Sequence, residues 1–163
     1  MLFRSFGREP KAVGYDDLMR VLDEDKIGIE TGDMVCLHTG FADMLLEMKR
    51  EPDPHLVHHA CPTLNGRDPK LLDWISQSRL SVLIADNYGV ETVPSAPGTG
   101  SHATLPLHEH CLFKLGVNLG ELWYLTSLAA WLRQNQRFRF FLTAPPLRLP
   151  GAVGSPATPV ATV

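Results

Sequence analysis

The chain has 163 residues, 15 Lys and Arg against 18 Asp and Glu, a net charge of -3 and 44% hydrophobic residues. That apolar fraction excludes a disordered chain, and the absence of excess basic charge excludes a binder that works by neutralising phosphates. The length fits one domain or a large piece of one, able to bury roughly two thirds of its unfolded surface without a disulfide or a structural metal.

Residues 1–14 mix Arg, Gly, Pro and Lys without a period and read as an irregular lead-in, leaving 15–163 as the domain. From Tyr15, Leu18, Val21 and Leu22 fall at i, i+3 and i+4, the apolar face of a helix, with Asp16 or Asp17 as its cap. Gly32-Asp33 turns the chain into Met34 to His38, a short apolar run suited to a buried strand. Phe41 to Arg50 returns to helix formers, and the prolines of EPDP at 51–54 stop them. Residues 55–67 read as a loop. Asp68-Pro69 then starts a helix, Asp68 as cap and Pro69 in the first turn, with Leu71, Leu72, Trp74 and Ile75 facing inward.

Ser81 to Ala85 is the next buried strand, and a helix followed by such a strand, twice over, is the rhythm of an α/β domain. A Gly-, Ser- and Pro-rich loop follows Val93. His108 to Leu115 reads as helix, Gly116 as its break and Val117 to Trp123 as a strand. Thr126 caps a further helix through Gln134, with Leu128, Ala129, Trp131 and Leu132 for the core. Arg137 to Leu142 reads as a strand that becomes buried, and Val160 to Val163 as an edge strand.

Cys36, Cys61 and Cys111 are widely spaced with no CxxC pair, so they read as free thiols in a reducing compartment. No apolar run approaches the roughly 20 residues of a membrane span, and Met1 to Arg4 lacks the apolar region of a signal peptide. The expectation is a soluble cytoplasmic protein with neither a membrane nor a nucleic-acid partner.

Three groups of residues offer chemistry. His55, His58 and His59 put three imidazoles within five positions, but the spacing is not HExxH and no carboxylate completes a site, so they read as a solvated loop. His108, Glu109, His110 and Glu121 form a second group: a chain leaving a helix at His108 can turn at Gly116 and return with Glu121 to a divalent metal, but the spacing is a weak signal, and by itself it favours His108 and His110 capping or flanking a helix with Glu121 solvated. Asp86 and Asn87 follow a buried strand and Glu91 comes soon after, where α/β folds place ligands or where carboxylates satisfy turn donors. Gly151 to Pro156 lacks the lysine of a P-loop, and no Ser sits in a GxSxG elbow.

Five colinear segments carry a resemblance: Gly32 to Val35 leading to His38-Thr39-Gly40; Ala85-Asp86-Asn87 with Val90-Glu91 and Val93-Pro94; Leu105 to His108; Leu115-Gly116 with Leu119 to Trp123; and Ala144 to Leu147 through Gly151 to Pro156. Together they resemble the later two thirds of the cyclase family of metal-dependent hydrolases, which includes bacterial kynurenine formamidase and isatin hydrolase. The resemblance implies a swivelling β/β/α domain within the α/β class, incomplete at its N-terminus. It also implies a homo-oligomer and a divalent metal, zinc or manganese, at a site that hydrolyses a small amide such as an N-formyl group. The family's later His and Glu fall on His108 and Glu121, with His110 as the alternative register, and Asp86, Asn87 and Glu91 become candidate pocket residues.

The family's front motif, HxGTHxD, is not found in this chain. The resemblance therefore leaves two of the metal's protein ligands, and implies an amino-terminally shortened, impaired arylformamidase-like enzyme. A non-catalytic binding or oligomerisation module that keeps the later part of the fold is the alternative. A small α/β domain of unrelated function is the third reading.

Overall fold

The protein is described by a computed structural model covering residues 7–163; of the expected lead-in, residues 1–6 lie outside the described residues. The elements are β1 (Lys11–Val13), α1 (Tyr15–Glu24), β2 (Met34–Leu37), α2 (Phe41–Glu47), α3 (Pro54–His59), β3 (Pro62–Leu64) and α4 (Pro69–Ser78). They continue with β4 (Val82–Ala85), α5 (Pro106–His108), a π-helical segment (Glu109–Leu115), β5 (Asn118–Gly120), α6 (Thr126–Gln134), β6 (Phe141–Thr143) and β7 (Val160–Thr162). The fold is mixed helix and strand with small sheets. Among the described residues no helix is long and apolar enough to cross a membrane.

The described residues divide into two compact units, 7–126 and 127–163. In the first, β2, β4 and β5 form a parallel sheet in that order, with Val35 beside Leu83 and Leu83 beside Leu119. Parallel neighbours need long crossovers, and the chain supplies them as α2 through α4 and as the helices at 106–115. A second parallel pair joins β1 to β3, Ala12 beside Thr63. Residues 90–92 extend it: Leu64 N–H donates to the Val90 carbonyl and Thr92 N–H to the Leu64 carbonyl, both at 2.9 Å.

One apolar cluster holds this unit. Leu18, Val21 and Leu22 of α1 meet Leu71 and Ile75 of α4, the strand residues Val35, Leu37, Leu64 and Leu83, and Leu107. A smaller cluster of Phe41, Met44 and Cys61 forms beside it. In the second unit, β6 and β7 pair antiparallel, Phe141 beside Thr162.

Four departures from the sequence expectations stand out, besides shorter bounds for α2 and β5 and a Thr126 hydroxyl that bonds Asp43 instead of capping α6. Residues 11–13, expected to be irregular, pair with β3 as a strand. Residues 55–67, expected as a loop, contain α3 and β3: α2 already ends at Glu47 before the left-handed Lys49, φ 54°, so Pro54 is free to supply a helical φ at the first turn of α3 while Asp53 accepts from the N–H groups of His55 and Leu56. The strand expected to become buried starts only at Phe141, which is 68% exposed, in a two-stranded sheet of which neither strand has a buried residue.

The fourth departure is the cap of α1. Neither Asp16 nor Asp17 fills that position; Gly14 does, and the donor of Tyr15 is taken by Asp68 Oδ2 at 2.7 Å. Asp68 Oδ1 meanwhile accepts from Lys70 and Leu71 N–H at the start of α4. One carboxylate thus starts two helices, and a Cβ at residue 14 would stand 2.6 Å from it.

Removing that carboxylate strands donors at both helix starts. Asp68→Ala is expected to lower unfolding free energy by about 2 kcal/mol in urea denaturation, and Asp68→Asn, which keeps one acceptor, by less. A loss below about 0.5 kcal/mol for the alanine variant would show that water replaces the carboxylate at no cost.

Candidate active site

Three side chains from separate segments of the first unit form a hydrogen-bonded row. Glu91, 0% exposed, lies where residues 90–92 meet β3. Its carboxylate accepts from the N–H groups of Leu107 at 3.1 Å and His108 at 2.8 Å, the start of α5, and from His108 Nδ1 at 2.7 Å. Pro106 has no N–H to satisfy and Leu107 is fully buried, so the short helix is pinned at its apolar residue and capped from 16 positions earlier.

The other ring nitrogen, Nε2, stands 3.3 Å from Glu121 Oε1, and the same oxygen accepts from Val90 N–H at 3.0 Å. Glu121 follows β5, carried there after the left-handed turn at Gly116, φ 69°. Gly66 makes the arrangement possible, because a Cβ at that position would collide with the Glu91 carboxylate.

The electrostatics follow from this geometry. Glu121 and then Glu91, each hydrogen-bonded to the ring, raise the pKa of His108 to about 9 against the opposing effect of burial. Burial alone pushes the Glu121 carboxyl up, but His108 and the Val90 N–H outweigh it and hold it below the usual carboxylate range. At neutral pH the ring is an imidazolium that donates from both nitrogens.

Asp86 belongs to a different network. Fully buried at the end of β4, it accepts from Thr39 N–H at 2.7 Å, Thr39 Oγ1 at 2.8 Å and Gly40 N–H at 2.8 Å, so it holds the turn from β2 into α2. Beside it, Thr126 Oγ1 donates to Asp43 Oδ2 at 2.8 Å and lies 3.1 Å from His38 Nε2, which makes Nε2 the donor of that pair. Asn87 accepts from Tyr88 N–H with its side-chain oxygen and from Leu122 N–H with its carbonyl.

His110 does not join the row; its Nε2 contacts Ser76 Oγ of α4 at 2.9 Å. Glu109 pairs with Lys114. His55 and His59 stack at 4.8 Å on α3, and His58 packs edge-on to Tyr88. Burial pushes the thiols of Cys36 and Cys61 up to about 11 and that of Cys111 to about 12, so none is a thiolate nucleophile near neutral pH.

A divalent metal finds an incomplete donor set here. Glu91 holding Nδ1 is the outer-shell arrangement that orients a metal-binding His, with Nε2 and Glu121 facing inward. That makes two donors, and no group of three His, Cys, Asp or Glu among the described residues is arranged to hold an ion. A tight catalytic centre needs at least three protein ligands, so these residues alone do not fit one.

Among solved structures, a novel cyclase is similar with a TM-score of 0.74 and 33% sequence identity, over 93% of this chain and 46% of that one. A potential metal-dependent hydrolase with cyclase activity gives 0.64 at 17% identity, covering 99% and 61% of the two chains. Isatin hydrolase A from Ralstonia solanacearum gives 0.63 at 16%, covering 94% and 53%. The chain thus spans about half the length of the solved chains it matches. No protein-family model and no curated protein matches the sequence.

The row makes stability depend on pH. The His108 pKa is raised from its unfolded value near 6.5 to about 9, so its stabilisation is complete below about pH 6.5 and is lost as pH rises through about 9. Unfolding free energies at about pH 6 and pH 9.5 are expected to differ for the parent chain and to converge in His108→Gln. An equal slope in that variant would assign the pH dependence to other groups.

Proposed function

The chain belongs to the cyclase-like family, and from that premise we propose that it hydrolyses a small amide, of the N-formyl arylamine or cyclic amide type, with His108 as the group that moves the proton. The observation that carries this reading is the Glu91–His108–Glu121 row. Glu91 fixes the ring plane through Nδ1, and the proton on Nε2 is shared toward Glu121. Once a water has added to the substrate carbonyl, the amide nitrogen placed at Nε2 would receive that proton as the C–N bond breaks, so that the amine leaves and the water oxygen stays on the acyl carbon as the carboxylic acid, the general-acid role that makes an amine a leaving group. Glu121, held ionised, keeps the ring charged until the transfer and accepts a hydrogen bond from it. Titratable groups in a half-buried, mutually perturbing row are the arrangement in which acid–base catalysis is found.

The names of two of the similar structures, a metal-dependent hydrolase with cyclase activity and isatin hydrolase, support hydrolysis as the reaction class. With two donors from this chain, the rest of any metal shell falls to a second copy or to a further segment, and turnover by the chain alone is slow.

Formate release from an N-formyl arylamine, assayed with zinc or manganese in the buffer, is the direct test. Detectable turnover is expected, lowered about 10²- to 10⁴-fold by His108→Asn and by Glu121→Gln. Turnover that survives both substitutions would move the chemistry elsewhere, and no release of formate and no opening of a cyclic amide would overturn the reading.

A further inference from the structure

In a loop, His55, His58 and His59 would have no fixed relation to one another; on α3 they do. At about 100° of turn per residue, positions 55 and 59 lie about 40° apart on one face of the helix. Val57, on the opposite face, packs against the cluster of Phe41, Met44 and Cys61, so the side that anchors the helix is the one that turns the two imidazoles outward. Asp53 caps the first turn and Pro54 sets its φ, which fixes the register of the pair although α3 has only 6 residues.

Both imidazoles are exposed, and no hydrogen bond or ion pair with another described residue engages a ring nitrogen of either. His108 differs in this respect, because Glu91 and Glu121 hold both of its nitrogens. The ring centres of His55 and His59 stand 4.8 Å apart with their planes tilted by 56°. A metal ion about 2.0–2.1 Å from an imidazole nitrogen lies about 3.2 Å from the ring centre, so angles at the metal of ~90° to ~109° place two such centres roughly 4.5–5.2 Å apart. The observed separation falls inside that window. His58 does not share the face; it packs edge-on to Tyr88 at 5.9 Å.

The donor chemistry selects the ion. Two neutral nitrogen donors with no carboxylate oxygen suit zinc, nickel or copper, and offer nothing to a hard ion such as magnesium. We propose that His55 and His59 chelate one divalent transition ion of this imidazole-preferring class on the outer face of α3, with water completing its shell. With two protein ligands the ion is exchangeable and not a tight catalytic centre. The pair meets at one metal only while residues 54–59 are helical, so binding also holds α3 together. The site shares no residue with the Glu91–His108–Glu121 row and does not depend on the hydrolase reading.

The test is a titration of the untagged, nitrogen-15-labelled chain with zinc chloride, and in parallel with magnesium chloride. Zinc is expected to give saturable shifts at the His55 and His59 rings and at the backbone amides of residues 55–60, and magnesium none. His55→Gln and His59→Gln each leave a single imidazole in place of a chelate, so zinc binding at α3 is expected to weaken about a hundredfold in either. His58→Gln is expected to leave it unchanged. Zinc is also expected to raise the unfolding temperature of the parent chain by more than that of His55→Gln. Shifts that never saturate, an equal response to magnesium, equal affinity in either variant of the pair, a comparable loss in His58→Gln, or shifts centred on His108 with α3 silent would each overturn the assignment. The comparison of the two ions on the parent chain stands even where a variant does not fold.

Discussion

The first unit is organised around a carboxylate with no access to water. Taking Glu91 out of solvent carries a desolvation cost of several kcal/mol unless hydrogen bonds replace the lost hydration. Two backbone N–H groups and an imidazole supply that replacement, from a helix start that lies 16 and 17 residues downstream. The exchange runs both ways: α5 is too short to stand by its own hydrogen bonds, and the buried charge is what makes its first donors satisfied. The β3 edge, the segment at 90–92, α5 and His108 are thereby tied to one atom group, and Gly66 is glycine because that group fills the space its side chain would occupy.

Asp86 repeats the device five residues earlier. It too is fully buried, and it too spends its oxygens on backbone donors of another element, the turn at Thr39 and Gly40. Both acids sit past the carboxyl end of β4, the central strand of the parallel sheet, where an open α/β sheet leaves a crevice. Two charges there, each locked by N–H groups from a neighbouring loop, fix the loops of that edge without a disulfide. The same locking orients His108 toward Glu121, so the stability of the edge and the geometry of the acid–base pair have one cause.

Local signals carried much of this into the sequence. The i, i+3, i+4 face of α1, the Asp68-Pro69 start of α4 and the apolar run of β4 each occur as read, because every one is decided by residues within a turn of each other. The pairing of His108 with Glu121 is marked by the family resemblance, while the spacing alone allows it without favouring it, because whether a helix, a glycine turn and a return strand meet again depends on packing beyond the segment. What depends on distant partners is not legible. Nothing near Lys11–Val13 says that it will find β3 fifty residues on, and nothing near Glu91 says that its acceptors will be used by Leu107 and His108. Pro54 shows the limit from the other side: a residue read as a helix stop also suits the first turn of a new helix, and the Asp53 cap decides between loop and α3, whereas α2 has already ended at Glu47.

The π-helical segment after His108 brings these constraints together. A π-turn is unfavourable in isolation and persists where surrounding contacts over-determine the chain. Here both ends are held: His108 by Glu91, and Val117 by its N–H to the Cys111 carbonyl at 2.8 Å beside the left-handed Gly116. Leu107 and Cys111, both 0% exposed, must face the core together. Between fixed ends and a fixed buried face, the extra residue per turn is the slack that lets the chain reach β5 in register with β4 and deliver Glu121 to His108 Nε2. An irregular helix is thus the structural consequence of placing a carboxylate against an imidazole that another carboxylate has already immobilised.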